Sequence, residues 1–247
     1  MLPATEPIAR KDLIEAFDDE HPRMTPSDAA ARTGLTRTAA RRYLLSLVHF
    51  GYAASDGKHF WLAPRVLRLG QSFLEGSRMA RLVQPFIQRI TNATGETVNV
   101  SVLDGHEVVY IARSNSPRRI SIGFQTGARI PVHVVTPGVV LLSMMDDEAL
   151  DAWLAAHEFA AYLPTTVAHP ASLREYVLAA RALGYWVTEA QLDPGLRGLA
   201  VPLKDRKGEC KGAVSTTVPM QPMTREQMIE RFLPLLQECA LALRPAL

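Results

Sequence analysis

Residues 25–62 constrain this chain more than any other stretch, because cap and turn signals follow one another there at short intervals. Thr25-Pro26-Ser27-Asp28 supplies an N-cap hydroxyl, a proline at the first helical position and an acid in the third. The helix predicted over 26–33 turns Ala29 and Ala30 inward, Gly34 ends it, and Leu35 returns to the core. Thr36 then caps a second helix running to about Phe50. Its apolar residues Ala40, Leu44, Leu47 and Val48 fall at i, i+4, i+7 and i+8, so they share one inward face. Arg37, Thr38, Arg41 and Arg42 are left on the other face. After Gly51, two short apolar runs, 52–54 and 59–62, flank Asp56-Gly57, a strong hairpin signal. Upstream, residues 7–20 predict a further helix with Ile8, Leu13, Ile14 and Phe17 near one face, broken at His21-Pro22.

A short helix, a glycine turn, a helix with outward arginines and a hairpin make a winged helix-turn-helix, which implies double-stranded DNA as partner. Charge agrees with this. Between residues 32 and 68 seven basic side chains, Arg32, Arg37, Arg41, Arg42, Lys58, Arg65 and Arg68, meet one acid, Asp56, although the whole chain carries only +2. Local positive charge beside a mildly acidic body suits a phosphate backbone. Arg37, Thr38 and Arg41 are the expected readers of base edges. Arg42, Lys58 and the hydroxyls of Thr25 and Thr36 are expected on phosphates.

The remainder reads as a linker helix and a second domain, giving boundaries of 1–63, 64–78 and 79–247. The linker helix holds Val66, Leu67, Leu69, Phe73 and Leu74, apolar residues that a second copy would cover. Residues 79–93 continue as an amphipathic helix. Strands are expected over 96–103, 107–113, 119–124, 185–190, 199–203 and 212–218, with helices over 146–157, 170–183 and from Thr224 onward. Val98, Val100 and Val102 alternate with Thr97, Asn99 and Ser101. Hairpin-connected strands with helices laid on them make an α+β domain with an antiparallel sheet.

The run from Thr25 to Gly70 resembles the DNA-binding half of IclR-type regulators, down to its Phe50-Gly51-Tyr52 step and its Leu62–Gly70 exit. TGARIPVHVVTPGVVLLS at 126–143 resembles the family's effector-domain signature, and LDPGLRGLAVPLKDRKGECKGAVSTTVP at 192–219 its C-terminal one. The chain departs from the pattern at Val139, where members often carry a basic residue. GLRGLAVPL and PGVVLLS look most like the branch that regulates protocatechuate and 4-hydroxybenzoate catabolism. The resemblance implies a GAF-like effector-binding domain, a small organic, possibly aromatic, acid as effector, and a homodimer or homotetramer. It also implies effector contacts at Thr136, Gly138, Thr188, Arg197, Gly198, Ser215 and Thr217. Arg197 is the expected carboxylate partner; an ion pair with a neighbouring acid such as Asp193 is the competing assignment.

Enzyme signatures are missing: no glycine-rich nucleotide loop, nucleophile elbow or paired zinc-binding histidines occur, and His133 has no nucleophile near it in sequence. No cofactor or metal is expected. Two cysteines, Cys210 and Cys239, read as free thiols of a reducing cytoplasm. There is no apolar run of eighteen residues, and the first twelve residues resemble no secretory signal. The expectation is therefore a cytoplasmic, ligand-responsive transcriptional regulator of a catabolic operon. Two rivals fit less of the chain: a DNA-binding protein whose C-terminal domain only dimerises, and an enzyme with an accessory DNA-binding domain.

Overall fold

The computed structural model describes residues 13–117 and 123–247. Contacts divide the chain into two compact units, Met1–Phe73 and Leu74–Leu247. In the first, residues 13–15 are helical; Ile8, expected on the same helix, lies outside the described residues. Helix α1 (Pro26–Thr33) and helix α2 (Arg37–His49) follow, then strands β1 (Ala53–Ser55) and β2 (Phe60–Leu62). Gly34 takes φ +68° at the end of α1, the left-handed conformation that a glycine adopts without strain. Leu13, Met24, Ala29, Ala30, Ala40, Leu44 and Phe60 form the core. Met24 and Phe60 exchange backbone hydrogen bonds of 2.9 and 2.8 Å, which seat the hairpin against the helices. Helix α3 (Leu67–Gly76) crosses the boundary between the units.

The second unit starts with helix α4 (Arg78–Thr94) and ends with helix α8 (Arg225–Leu243). Between them lie β3 (Val98–Asp104), β4 (Glu107–Ser114), β5 (Arg129–Pro131), α5 (Thr136–Leu142), α6 (Asp147–Ala156), α7 (Pro170–Leu183), β6 (Trp186–Glu189), β7 (Leu196–Lys204) and β8 (Cys210–Pro219). The six strands make one antiparallel sheet in the order β5-β4-β3-β8-β7-β6. Helices α4 and α8 pack on one face through Ile87, Val98, Val100, Leu199, Val214 and Phe232. Helices α5, α6 and α7 cover the other through Val108, Tyr110, Leu142, Trp153, Val177 and Ala200. This is the expected α+β, GAF-like arrangement.

Two local readings need correction. Residues 135–138, where the sequence predicts no helix, open a wholly buried one, α5. Its proline sits in the first turn, where a missing N–H costs nothing. Residues 129–131 form the edge strand β5, which the sequence reading left out. The strand expected over 119–124 lies mainly outside the described residues, and Phe124 is not in a strand. Helices cover both faces of the sheet, so Asn99 and Ser101 on the polar side of β3 are buried.

Candidate functional site

Each unit carries one candidate site. In the first, the Thr36 hydroxyl caps α2 by accepting the Ala39 N–H. Burial of Ala40, Tyr43 and Leu44 then turns Arg37, Thr38, Arg41 and Arg42 out to solvent. Lys58 is exposed on the hairpin tip, whose geometry Asp56 sets by accepting the N–H groups of Lys58 and His59 at 3.0 and 2.7 Å. Those N–H groups, His59 first, hold the Asp56 carboxyl down at about 2.

Not every basic residue of the segment faces a partner. Arg32 donates to the Ala16 carbonyl at 3.0 Å and pairs with Asp18. Arg65 donates to the Phe50 carbonyl at 3.0 Å, a cation on the C-terminus of α2. The Thr25 hydroxyl, expected on a phosphate, gives its proton to Asp28 Oδ2 at 2.8 Å inside the α1 capping box. The sequence reading missed Arg23, whose guanidinium lies 3.9 Å over the Trp61 ring of the wing, with Asp56 at 3.7 Å.

In the second unit a cavity of about 80 Å³ lies between α5 and the sheet. Tyr110, Phe124, Thr136, Thr188, Leu196, Gly198 and Thr217 contribute to its wall. The Thr136 and Thr188 hydroxyls bond to each other across it. Gly198 is required by close approach, since a Cβ there would lie 2.1 Å from Thr136 Oγ1. Strand alternation brings Thr217 and Gly198 to this side, opposite each other in register.

Strand alternation places Arg197, the expected carboxylate partner, differently. One residue from Gly198, it points to the other face, where Nε donates to Glu189 Oε1 and Nη1 to the Met223 carbonyl, each at 2.6 Å. Asp193 is not its partner either; it accepts the Gly195 N–H. Gly138, also expected at the effector, is held within the fold. Its N–H bonds to the Val135 carbonyl at 3.0 Å, and a Cβ there would sit 2.0 Å from the Val132 oxygen, so it is a packing glycine.

Ser215 is buried beside the cavity wall, facing Asn99 across the β3–β8 pair, and Asn99 faces Arg113 across the β3–β4 pair. The row Arg113–Asn99–Ser215 places a guanidinium, an amide and a hydroxyl side by side beneath the helices. Arg113 donates to Asn115 Oδ1 and the Phe124 carbonyl at 2.5 Å each, and burial pulls its pKa below the usual guanidinium value. Burial likewise raises the Tyr110 hydroxyl well above its ordinary value. Asn99 Oδ1 and Ser101 Oγ are shielded from water with no hydrogen-bond partner among the described residues. Buried unpaired polar atoms are uncommon and each costs about 1–3 kcal/mol, so they mark places where a partner is missing. The sequence signal for this row was an arginine, Arg113, closing the apolar run 108–112.

His133 belongs to a different cluster. His133 Nε2 donates to the Ala160 carbonyl at 2.9 Å, so its Nδ1 accepts, at 2.7 Å, from His157 Nε2. His157 Nδ1 lies 3.2 Å from His106 Nδ1, and Trp153 stacks on His157 at 4.4 Å. Desolvation first, then His133 and His106, depress the His157 pKa to about 4. No group of side chains suited to a metal ion occurs among the described residues. None of their helices is long and apolar enough to cross a membrane.

Residues 12–57 match the IclR helix-turn-helix domain, and residues 71–244 match the bacterial transcriptional regulator IclR C-terminal domain. The chain belongs to the IclR family. As a family member it is a DNA-binding transcriptional regulator with an effector-type domain, not an enzyme. It is 35% identical over 225 residues to the Pca regulon regulatory protein of Pseudomonas putida, covering 91% of this chain and 77% of the relative. It is 33% identical over 237 residues to the p-hydroxybenzoate hydroxylase transcriptional activator of Acinetobacter baylyi, covering 94% and 88%. Among solved structures, the inducer-binding domain of a PobR double mutant from Acinetobacter, in complex with 3-hydroxybenzoic acid, superposes with a TM-score of 0.65. That pair is 28% identical, and the match covers 68% of this chain and 98% of the other.

Proposed function

We propose that this IclR-family regulator senses a small aromatic acid and changes its occupancy of double-stranded DNA in response. The observation that carries the reading is the buried Arg113–Asn99–Ser215 row beside a cavity walled by Tyr110, Phe124 and threonine hydroxyls. A guanidinium and an amide are the donors a carboxylate needs in a dry site, and aromatic side chains suit a ring. An amide presents either end by turning about χ2, so Asn99 serves an anion as readily as a hydroxyl. The names of the two relatives point to the same ligand class. In this reading Arg113, and not Arg197, is the carboxylate partner.

The functional division is 1–63 for DNA, 64–78 as linker helix and 79–247 for the effector. Helix α2 enters the major groove, with Arg37, Thr38 and Arg41 on base edges and Arg42, Lys58 and Thr36 on phosphates. The protein acts in the cytoplasm as a homodimer or homotetramer, in which a second copy covers Leu67, Leu69 and Phe73, left 76%, 49% and 57% exposed here.

Calorimetric titration of the full-length protein with benzoate, 4-hydroxybenzoate and protocatechuate tests the sensor. Arg113→Gln is expected to weaken binding by about 10- to 100-fold, the worth of a hydrogen bond to a charged group. Arg197→Gln, judged on the folded fraction, should stay within about threefold. Binding by none of the acids at millimolar concentration would favour a C-terminal domain that serves oligomerisation alone.

A further inference from the structure

Helix α2 holds one large apolar side chain that the fold leaves in water. Tyr43 and Leu44 are buried and Leu47 and Val48 half-buried, whereas Leu45 is 42% exposed. At about 3.6 residues per turn, Leu45 falls between Arg41 and Arg42 on the helix circumference, opposite Tyr43 and Leu47. It is one turn beyond the two arginines, two turns beyond Thr38 and one turn before His49, and all four are exposed. A helical side chain leans toward the N-terminus, so Leu45 covers the turn from which Arg41 and Arg42 emerge.

An exposed leucine is ordinary in itself. Its position is what informs. The midline of this face is where contact with a partner is closest, and the surrounding side chains are cationic or polar. Leucine offers no hydrogen bond, so at that midline it desolvates a polar base edge without compensating it. One group on the major-groove edge escapes that penalty: the C5-methyl of thymine, which apolar side chains read by contact.

We propose that Leu45 is a specificity-determining residue that packs on the C5-methyl of a thymine beside the base read by Arg41. The inference rests on the docking of α2 in the major groove proposed above. It predicts a half-site in which one thymine is required for its methyl group and not for its pairing.

The test removes that methyl alone. Full-length protein selects its preferred sites from random duplexes, and each thymine of the selected half-site is replaced in turn by deoxyuridine. One position should weaken binding about fourfold, the transfer free energy of a single buried carbon. Leu45→Ala should bind the thymine and deoxyuridine duplexes equally while melting like the parent protein, because Leu45 supports no core. Wild-type binding that ignores deoxyuridine at every position overturns the proposal. So does a Leu45→Ala protein that keeps the discrimination. Arg41→Ala separates this inference from the docking on which it rests. If Arg41→Ala alters the selected bases while Leu45→Ala leaves the thymine preference intact, only the Leu45 contact fails. If both variants select the parent sequence, the docking of α2 fails with it.

Discussion

Replacing Gly198 by alanine isolates how closely α5 is pressed to the sheet. The added Cβ would sit 2.1 Å from Thr136 Oγ1, 3.1 Å from Thr136 Cβ and 3.4 Å from Thr188 Oγ1. Oγ1 must retreat by more than an ångström to reach ordinary contact, and α5, buried along its whole length, gives it little room. Overpacking of this kind costs about 1–3 kcal/mol. Moving Thr136 also breaks its bond to Thr188 and strands two buried hydroxyls, at about 1–3 kcal/mol more. The least of these sums, about 2 kcal/mol, corresponds to roughly 4–8 °C of melting temperature in a unit of this size. Calorimetry and urea unfolding of Gly198→Ala measure it directly. The same change made on a Thr136→Ala background should cost much less, because the 2.1 Å contact no longer exists. A Gly198→Ala protein that melts within a degree of wild type, or an equal cost in both backgrounds, would show that α5 yields freely and that the reasoning is wrong.

Acid should destabilise the second unit through its histidines. Its surroundings hold the His157 pKa at about 4 in the folded protein, against the ordinary histidine value of 6.5 in the unfolded chain. Between those values the unfolded chain binds more protons, so stability falls as pH drops from 6.5 toward 4 and gains no further dependence from this group below. Melting temperatures across that window should fall less steeply for His157→Phe, which keeps a ring against Trp153; parallel curves would refute the assignment. For DNA binding, Arg42→Ala should reduce the slope of log K against log salt by about one while weakening specific and random duplexes alike. A loss confined to the specific site would make Arg42 a base reader.

Much of the fold was legible because its boundaries are written in local chemistry. Thr25 and Gly34 bracket α1, and Pro170 and Gly184 bracket α7, with the helix ends where those residues put them. Helix α5 was hidden by its Thr-Pro-Gly start, which reads equally as a turn. Only the approach of Gly138 to the Val132 carbonyl shows why a glycine belongs inside that helix. The outward face of α2 followed from helical periodicity, although Thr25, Arg32 and Arg65 turned out to be engaged by the fold itself. The pocket was legible in part. Thr136, Thr188, Gly198 and Thr217 meet at one cavity. Arg197 does not, since strand alternation turns it to the other face once Gly198 is on the cavity side. Arg113 and Asn99 depend on cross-strand register between segments distant in sequence, with a bulge at Val100/Ser101, and periodicity within one strand does not encode that.

A cavity of about 80 Å³ is smaller than the roughly 150 Å³ that holds a benzene ring in a protein interior. An aromatic acid seated wholly inside this pocket would therefore part its walls. Affinity and signal become opposed quantities: work done in parting α5 from the sheet is subtracted from binding and reappears as bias toward the opened form. A variant whose pocket already stood open would hold the acid more tightly and report it less, so selection for the highest affinity would yield a better binder and a poorer sensor.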